Sequence, residues 1–179
     1  TLTPIPFTLM GLPLAIFLGF RNTTAYDRYW EGRKLWGELV LRTRNLSRQC
    51  LSLIELDQPV DPTNRAGDVR VRMVHRAIAF VHALRLHLRS QSDDALLQRW
   101  LPAQDWPRVA QSSVRPEAIM QGLGQDLRQC LREGRIDPCL AAGIDTTLSA
   151  MTASAASCER IRNTPVPFSY TLLLHRTAY

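Results

Sequence analysis

Apolar positions dominate the start of this chain, and charge enters only afterwards. Ten of the first twenty residues are Leu, Ile or Phe, and no Asp, Glu, Lys or Arg precedes Arg21. A helix rises 1.5 Å per residue, so about 20 such residues match the thickness of a bilayer core. Each Leu, Ile or Phe favours insertion by about 0.3–0.6 kcal/mol, whereas one central Arg costs about 2.5–3.5 kcal/mol. The pattern therefore predicts a membrane-spanning helix over residues 1–21. Two stripes run along it. Gly11, Ala15 and Gly19 form a ridge of small residues that lets a neighbouring backbone approach closely. Leu12, Ile16 and Phe20 repeat at the same spacing about 100° further round. In a ring of such helices each bulky residue becomes an apolar collar, successive collars lie about 6 Å apart, and narrow collars gate ions by dewetting. The other reading of the stripe sets it against lipid or a neighbouring helix.

Helical spacing continues beyond the apolar run, to about Leu56, with a break predicted over Asp57–Asn64. Pro4 and Pro6 suit a helix entrance, and Pro13 is expected to kink or loosen the span. Asn22, Thr23 and Thr24 either cap a new helix or bend a continuous one. Between Arg65 and Ser90, Val71, Val74, Ile78, Val81, Leu84 and Leu88 keep the period of a helix. Short helical pieces follow at Asp93–Trp100 and Pro102–Val109, with Trp100 and Trp106 packing. A helix from about Arg115 to Glu133 has Pro116 in its first turn and Gly134 at its stop. Asp137-Pro138 opens a last helix to about Arg162, rich in Ala, Ser and Thr and suited to close packing. Thr164-Pro165-Val166-Pro167 then forces a boundary, and Phe168–Leu174 reads as a return toward the membrane. His175 and Arg176 follow it, and ionisable groups at membrane depth are functional candidates. The expected fold is all-α: a transmembrane helix (1–21), a cytoplasmic helical region (22–163) and the start of a second transmembrane helix (164–179).

Charge refines the topology. The net charge of +6 comes from 22 Lys and Arg against 16 acids, and all but Lys34 of the bases are Arg. The arginines are spread along the chain without a nucleic-acid motif, so no nucleic-acid partner is expected, and the bias reads as genome composition. Arg21, Arg28, Arg33 and Lys34 follow the first span at once and place that flank in the cytoplasm. Glu31 lies three residues from both Arg28 and Lys34, where local pairing accounts for it. Tyr26, Tyr29 or Trp30, Arg33 and Trp36 recur at helical steps, as interfacial anchors or as an aromatic–Arg seam inside the bundle. Cys50, Cys130, Cys139 and Cys158 lack C-x-x-C spacing and read as free thiols, most of them in the core. His75, His82 and His87 miss the i, i+3 or i+4 spacing of a helical zinc site, so no metal and no cofactor is expected.

The run FLGFRNTTAYDRYWEGRKLWG (Phe17–Gly37) resembles the signature of the bestrophin family of ion channels. Near the other end, CERIRNTPVPFSY (Cys158–Tyr170) followed by LLLHR (Leu172–Arg176) resembles that family's second conserved block. Tyr29 stands where members often carry a Trp before Trp30. The resemblance implies a homopentameric channel with further membrane helices before and after this stretch, in the bacterial plasma (inner) membrane. It maps the family's neck residues onto Leu12, Ile16 and Phe20. Animal members are chloride channels gated by calcium through an acidic cluster near the last membrane helix, a region beyond this sequence, so no calcium site is assigned. The chain has no nucleophile–base pair, phosphate loop or paired carboxylates that would make an enzyme. The expected function is an oligomeric channel passing chloride or other small ions, in contact with membrane lipid. The alternative is a membrane-anchored adaptor whose cytoplasmic bundle binds a protein partner.

Overall fold

The computed structural model describes residues 5–64 and 66–164, without the side chains at 5–10, 12–14 and 17. Every regular element among the described residues is helical: α1 (Ile5–Leu53), α2 (Val69–Leu88), α3 (Asp94–Trp100), a 3-10 turn (Ala103–Asp105), α4 (Trp106–Gln111), α5 (Arg115–Arg132) and α6 (Pro138–Asn163). The chain divides into two compact units, Trp36–Ser157 and the pair of segments Thr1–Leu35 and Cys158–Tyr179.

α1 runs through Pro13 and through Asn22-Thr23-Thr24 without a break. The two threonines neither cap nor interrupt it. Their hydroxyls donate back to the carbonyls of Gly19 (3.0 Å) and Phe20 (2.9 Å), so their polar groups are spent inside the helix. No helix among the described residues is long and apolar enough to cross a membrane. The span expected over 1–21 therefore draws no support here: its first four residues lie outside those described, and Arg21 bounds what remains.

In the Trp36–Ser157 unit, α2 is the central element, with no exposed residue from Val69 to Leu88. Its buried and half-buried positions lie on different faces, and both faces carry apolar residues. The stripe read from the sequence is accordingly only partly the buried one. Val71 and Leu84 are buried, while Val74, Ile78, Val81 and Leu88 are half-buried. Met73, Ala77, Phe80 and Ala83 do more of the core packing, with Leu39 and Leu46 of α1, Ile119 and Leu123 of α5, and Ile144, Leu148 and Met151 of α6.

Burial of α2 also takes three arginines inside. Arg76 donates through Nε to Asp105 (2.8 Å), through Nη1 to the Gly122 carbonyl (2.8 Å), and pairs with Asp126. Arg72 donates to the other oxygen of Asp126 (2.9 Å), to the Ala66 carbonyl (2.8 Å) and to Gln129 (3.1 Å). Arg70 pairs with Asp68, the N-cap residue of α2, at 2.8 Å. The arginine bias is thus not merely compositional; part of it is structural. Charges leave water only when paired and fully hydrogen-bonded, and the guanidinium fork meets that demand. Gly122 keeps the approach open, because a Cβ there would sit 3.0 Å from Arg108 Nη2 and 3.3 Å from Arg76 Nε.

The expected helix ends are largely met. α5 stops at Gly134 (φ +66°), and the N–H of Arg135 returns to the Cys130 carbonyl at 2.9 Å, closing a Schellman-type end. Asp137 starts α6 by accepting from the Cys139 N–H at 2.8 Å. α6 buries Ala141, Ile144, Leu148, Met151 and Ala155 and exposes small residues such as Ala142, Thr146, Ser149 and Ala153. Cys50, Cys130 and Cys158 are buried free thiols and Cys139 is an exposed one. Burial, followed by the nearby Cys130 and Asp126, pushes the Cys50 thiol up to about 12. Burial and Asp126 push Cys130 to about 11.

Two outcomes follow from this packing. Asp126→Ala leaves Arg72 and Arg76 buried with one anion fewer, and is expected to cost about 3–5 kcal/mol in denaturant unfolding; a loss below 1 kcal/mol would show the network to be incidental. Thiolates, not thiols, are the nucleophiles. Because burial raises both thiols well above the ordinary cysteine range, Cys50 and Cys130 stay protonated at pH 8. Maleimide labelling of the native protein should therefore mark Cys139 first, and Cys50 and Cys130 only after unfolding.

Candidate functional site

The residues singled out along the first span all fall on α1. Gly11, Ala15 and Gly19 are exposed, and no described atom beyond their own helix lies within 4 Å of where a Cβ on Gly11 or Gly19 would stand. Ile16 is 49% exposed and Phe20 55% exposed. Leu12 belongs to the same helix, but its side chain lies outside the described residues. A single copy of the chain thus leaves the described members of both stripes exposed. Lone exposed apolar residues are ordinary, but Ile16, Leu18 and Phe20 stand together within five residues.

Two turns further along, α1 meets the end of α6. Arg28 donates through Nη2 to the carbonyl of Ile161 at 2.6 Å and through Nη1 to that of Thr164. The last carbonyls of a helix lack intrahelical donors, and a cation there also complements the helix dipole. Pro165 and Pro167, which follow in the sequence, carry no N–H to offer. Beside this contact Arg160 of α6 pairs with Glu31 of α1. The pairing of Glu31 with Arg28 or Lys34 expected from sequence spacing is not what forms. Arg28 is committed to the α6 carbonyls, and the nearer partner for Glu31 comes from 129 residues away. Together Arg28, Glu31, Arg160 and the Ile161 and Thr164 carbonyls make a clasp that joins the two sequence blocks. The Cys158 thiol nearby is raised by burial and then by Glu159 and Glu31.

The clasp was missed because spacing arguments reach only three or four residues along a helix. The available signal was the Thr164-Pro165-Val166-Pro167 stop, which leaves carbonyls in need of a distant donor. The aromatic residues are arranged differently from a seam inside the bundle. Tyr26, Tyr29 and Trp30 are exposed on α1, and Trp30 meets both tyrosines edge-on, with ring centroids 6.1 Å apart in each pair. Trp36 belongs to the other unit and packs against its core. The return expected over 164–179, with His175 and Arg176, lies outside the described residues apart from Thr164.

Elsewhere the chemistry is structural. His75 and His82 both face Trp100, edge-on at 5.5 Å and stacked at 6.4 Å respectively. Burial and then Arg85 hold His82 below the usual histidine range. Among the described residues no three His, Cys, Asp or Glu groups gather where they would hold a metal ion. An open recess of about 210 Å³ between α1 and α2 is lined by Val40, Thr43, Arg44, Ile78, Val81 and His82. Its one hydroxyl, that of Thr43, donates to the Leu39 carbonyl at 2.8 Å, and no carboxylate lines it.

Comparison with known proteins accounts for the two joined blocks. The family model described as Bacterial/Fungal Bestrophin protein matches residues 1–179. A voltage-dependent anion channel-forming protein of Ralstonia nicotianae is 43% identical over 178 residues, covering 99% of this chain and 56% of that protein. The voltage-dependent anion channel-forming protein YneE of Escherichia coli is 39% identical, covering 99% of this chain and 55% of its own. Among solved structures, a point variant of a bacterial Bestrophin homolog from Klebsiella pneumoniae superposes with a TM-score of 0.86 at 35% identity, covering 98% of this chain and 62% of that one. The chain therefore spans little more than half the length of these relatives. With its whole length matched by the family model and its fold shared with a solved member, the chain belongs to the bacterial and fungal bestrophin family.

Proposed function

We propose that this chain works within a subunit of a membrane ion channel rather than an enzyme, with several copies arranged around a common axis as a homopentamer. The carrying observation is the exposed bulky stripe of α1, Ile16 and Phe20, in a chain whose relatives are named as anion channel-forming proteins. In this reading Leu12, Ile16 and Phe20 face the axis as three apolar collars forming a neck. The ridge of Gly11, Ala15 and Gly19 lets the next helix approach. Segment 1–21 crosses the membrane against lipid, 22–163 extends into the cytoplasm, and 164–179 turns back toward the bilayer, which is the bacterial plasma membrane.

The physical mechanism is control of wetting. A narrow ring of Leu, Ile and Phe offers an ion no substitute for its hydration shell, so the ring conducts only when it widens enough to hold water. Small ions are the proposed cargo, with anions favoured because the relatives are named as anion channel-forming proteins; chloride is what the family resemblance implies. Arg21, Arg28, Arg33 and Lys34 just beyond the neck favour anions, but Asp27 and Glu31 offset two of them.

Full-length protein in planar bilayers tests this. Replacing all three neck residues (Leu12→Ala, Ile16→Ala, Phe20→Ala) is expected to raise steady current by about tenfold, because wider and less bulky collars stay wet. Unchanged current removes the neck assignment. Reversal potentials in paired salts differing only in anion or only in cation should track the anion. A purified protein that is monomeric and passes no ions in liposomes would instead favour an adaptor role.

A further inference from the structure

We propose that the clasp between α1 and the end of α6 is a latch that regulates the neck, with Arg28 as its positioning residue and the Glu31–Arg160 pair as its releasable part. This inference rests on the channel reading above. Phe20 and Arg28 lie on one continuous helix, eight residues and about 12 Å apart along its axis. Whatever holds Arg28 therefore also constrains how the neck end of that helix turns or slides.

The two halves of the clasp differ in character. Arg28 is half-buried and reaches two carbonyls at once, Ile161 and Thr164, with its planar fork. Those carbonyls close α6 immediately before two prolines that cannot supply N–H donors, so no backbone group at Pro165 or Pro167 replaces the guanidinium if it leaves. The Glu31–Arg160 pair is open to water, with the side chains 43% and 62% exposed. An exposed ion pair is weak and screened by salt, which suits a contact that must be made and broken. Narrow apolar collars are non-conducting until widened. The latched arrangement is accordingly the resting one, and release frees α1 to open the neck.

Single-channel recording on the reconstituted full-length protein separates this from a merely structural role. Glu31→Arg and Arg160→Glu each put like charges face to face, and Arg28→Gln removes the cationic fork. Each variant is expected to raise open probability about fivefold, a population shift read from the open and closed dwell times. The exchange Glu31→Arg with Arg160→Glu restores the pair and should return open probability to within about twofold of the parent. If Arg28→Gln fails to assemble, the exposed pair and its exchange carry the test. Unaltered open probability in the single variants, or no recovery in the exchange, would each overturn the latch. Parent protein that carries no current overturns the channel reading itself, and the latch with it. Parent current with indifferent variants overturns the latch alone.

Discussion

A helix buried along most of its surface has to carry its own charge compensation inside. That condition, met at α2, underlies the Trp36–Ser157 unit. Arg72 and Arg76 sit one turn apart on α2, and both converge on Asp126 of α5, with Asp105 completing the set beside Arg76. Two cations and two anions leave the cluster neutral, and the Gly122 and Ala66 carbonyls take up further guanidinium donors. Greasy packing alone would let α5 slide along α2 by a turn at small cost. A buried set of directional ion pairs does not, because any other register leaves a charge without a partner. The small size of residue 122 belongs to the same arrangement, since a side chain there would press on both Arg76 and Arg108.

The same principle operates more loosely at the clasp. There the groups needing partners are the final carbonyls of α6, and the donor comes from a different helix. The two sequence blocks that resemble the bestrophin signature thereby become one structural feature. They lie far apart in sequence, yet Arg28 and Glu31 of the first block are met by Arg160, Ile161 and Thr164 of the second. A resemblance spread over two blocks is easier to understand once the blocks are seen to satisfy one another's polar groups. It also places polar, specific contacts two turns from the bulky stripe, whose own environment in a single chain is open.

Much of the helical layout was legible from local signals. Gly134, Asp137-Pro138 and Pro116 announce helix ends through φ preference, side-chain capping and the missing proline N–H, all of which act within a few residues. The bulky and small stripes of α1 were legible for a similar reason, because they are properties of spacing on one helix. The central position of α2 was not. Its apolar residues obey helical spacing on several faces at once, so periodicity singles out a stripe that only partly coincides with the buried one. Nor was the fate of the aromatic run: Tyr26, Tyr29 and Trp30 stay on the surface of the chain, while Trp36 joins a core.

By itself, then, the sequence determined the all-helical class, the positions of most helix ends, the two stripes of α1 and the family likeness, because each is written in residues that are neighbours along the chain or along one helix turn. Only the tertiary structure decided which arginines are buried, that Asp126 serves two of them, and that Glu31 turns to Arg160 rather than to its helical neighbours. The physical reason is that an ion pair is chosen by which charges burial and helix ends leave unsatisfied, and that competition is settled in space across distances no local spacing rule covers.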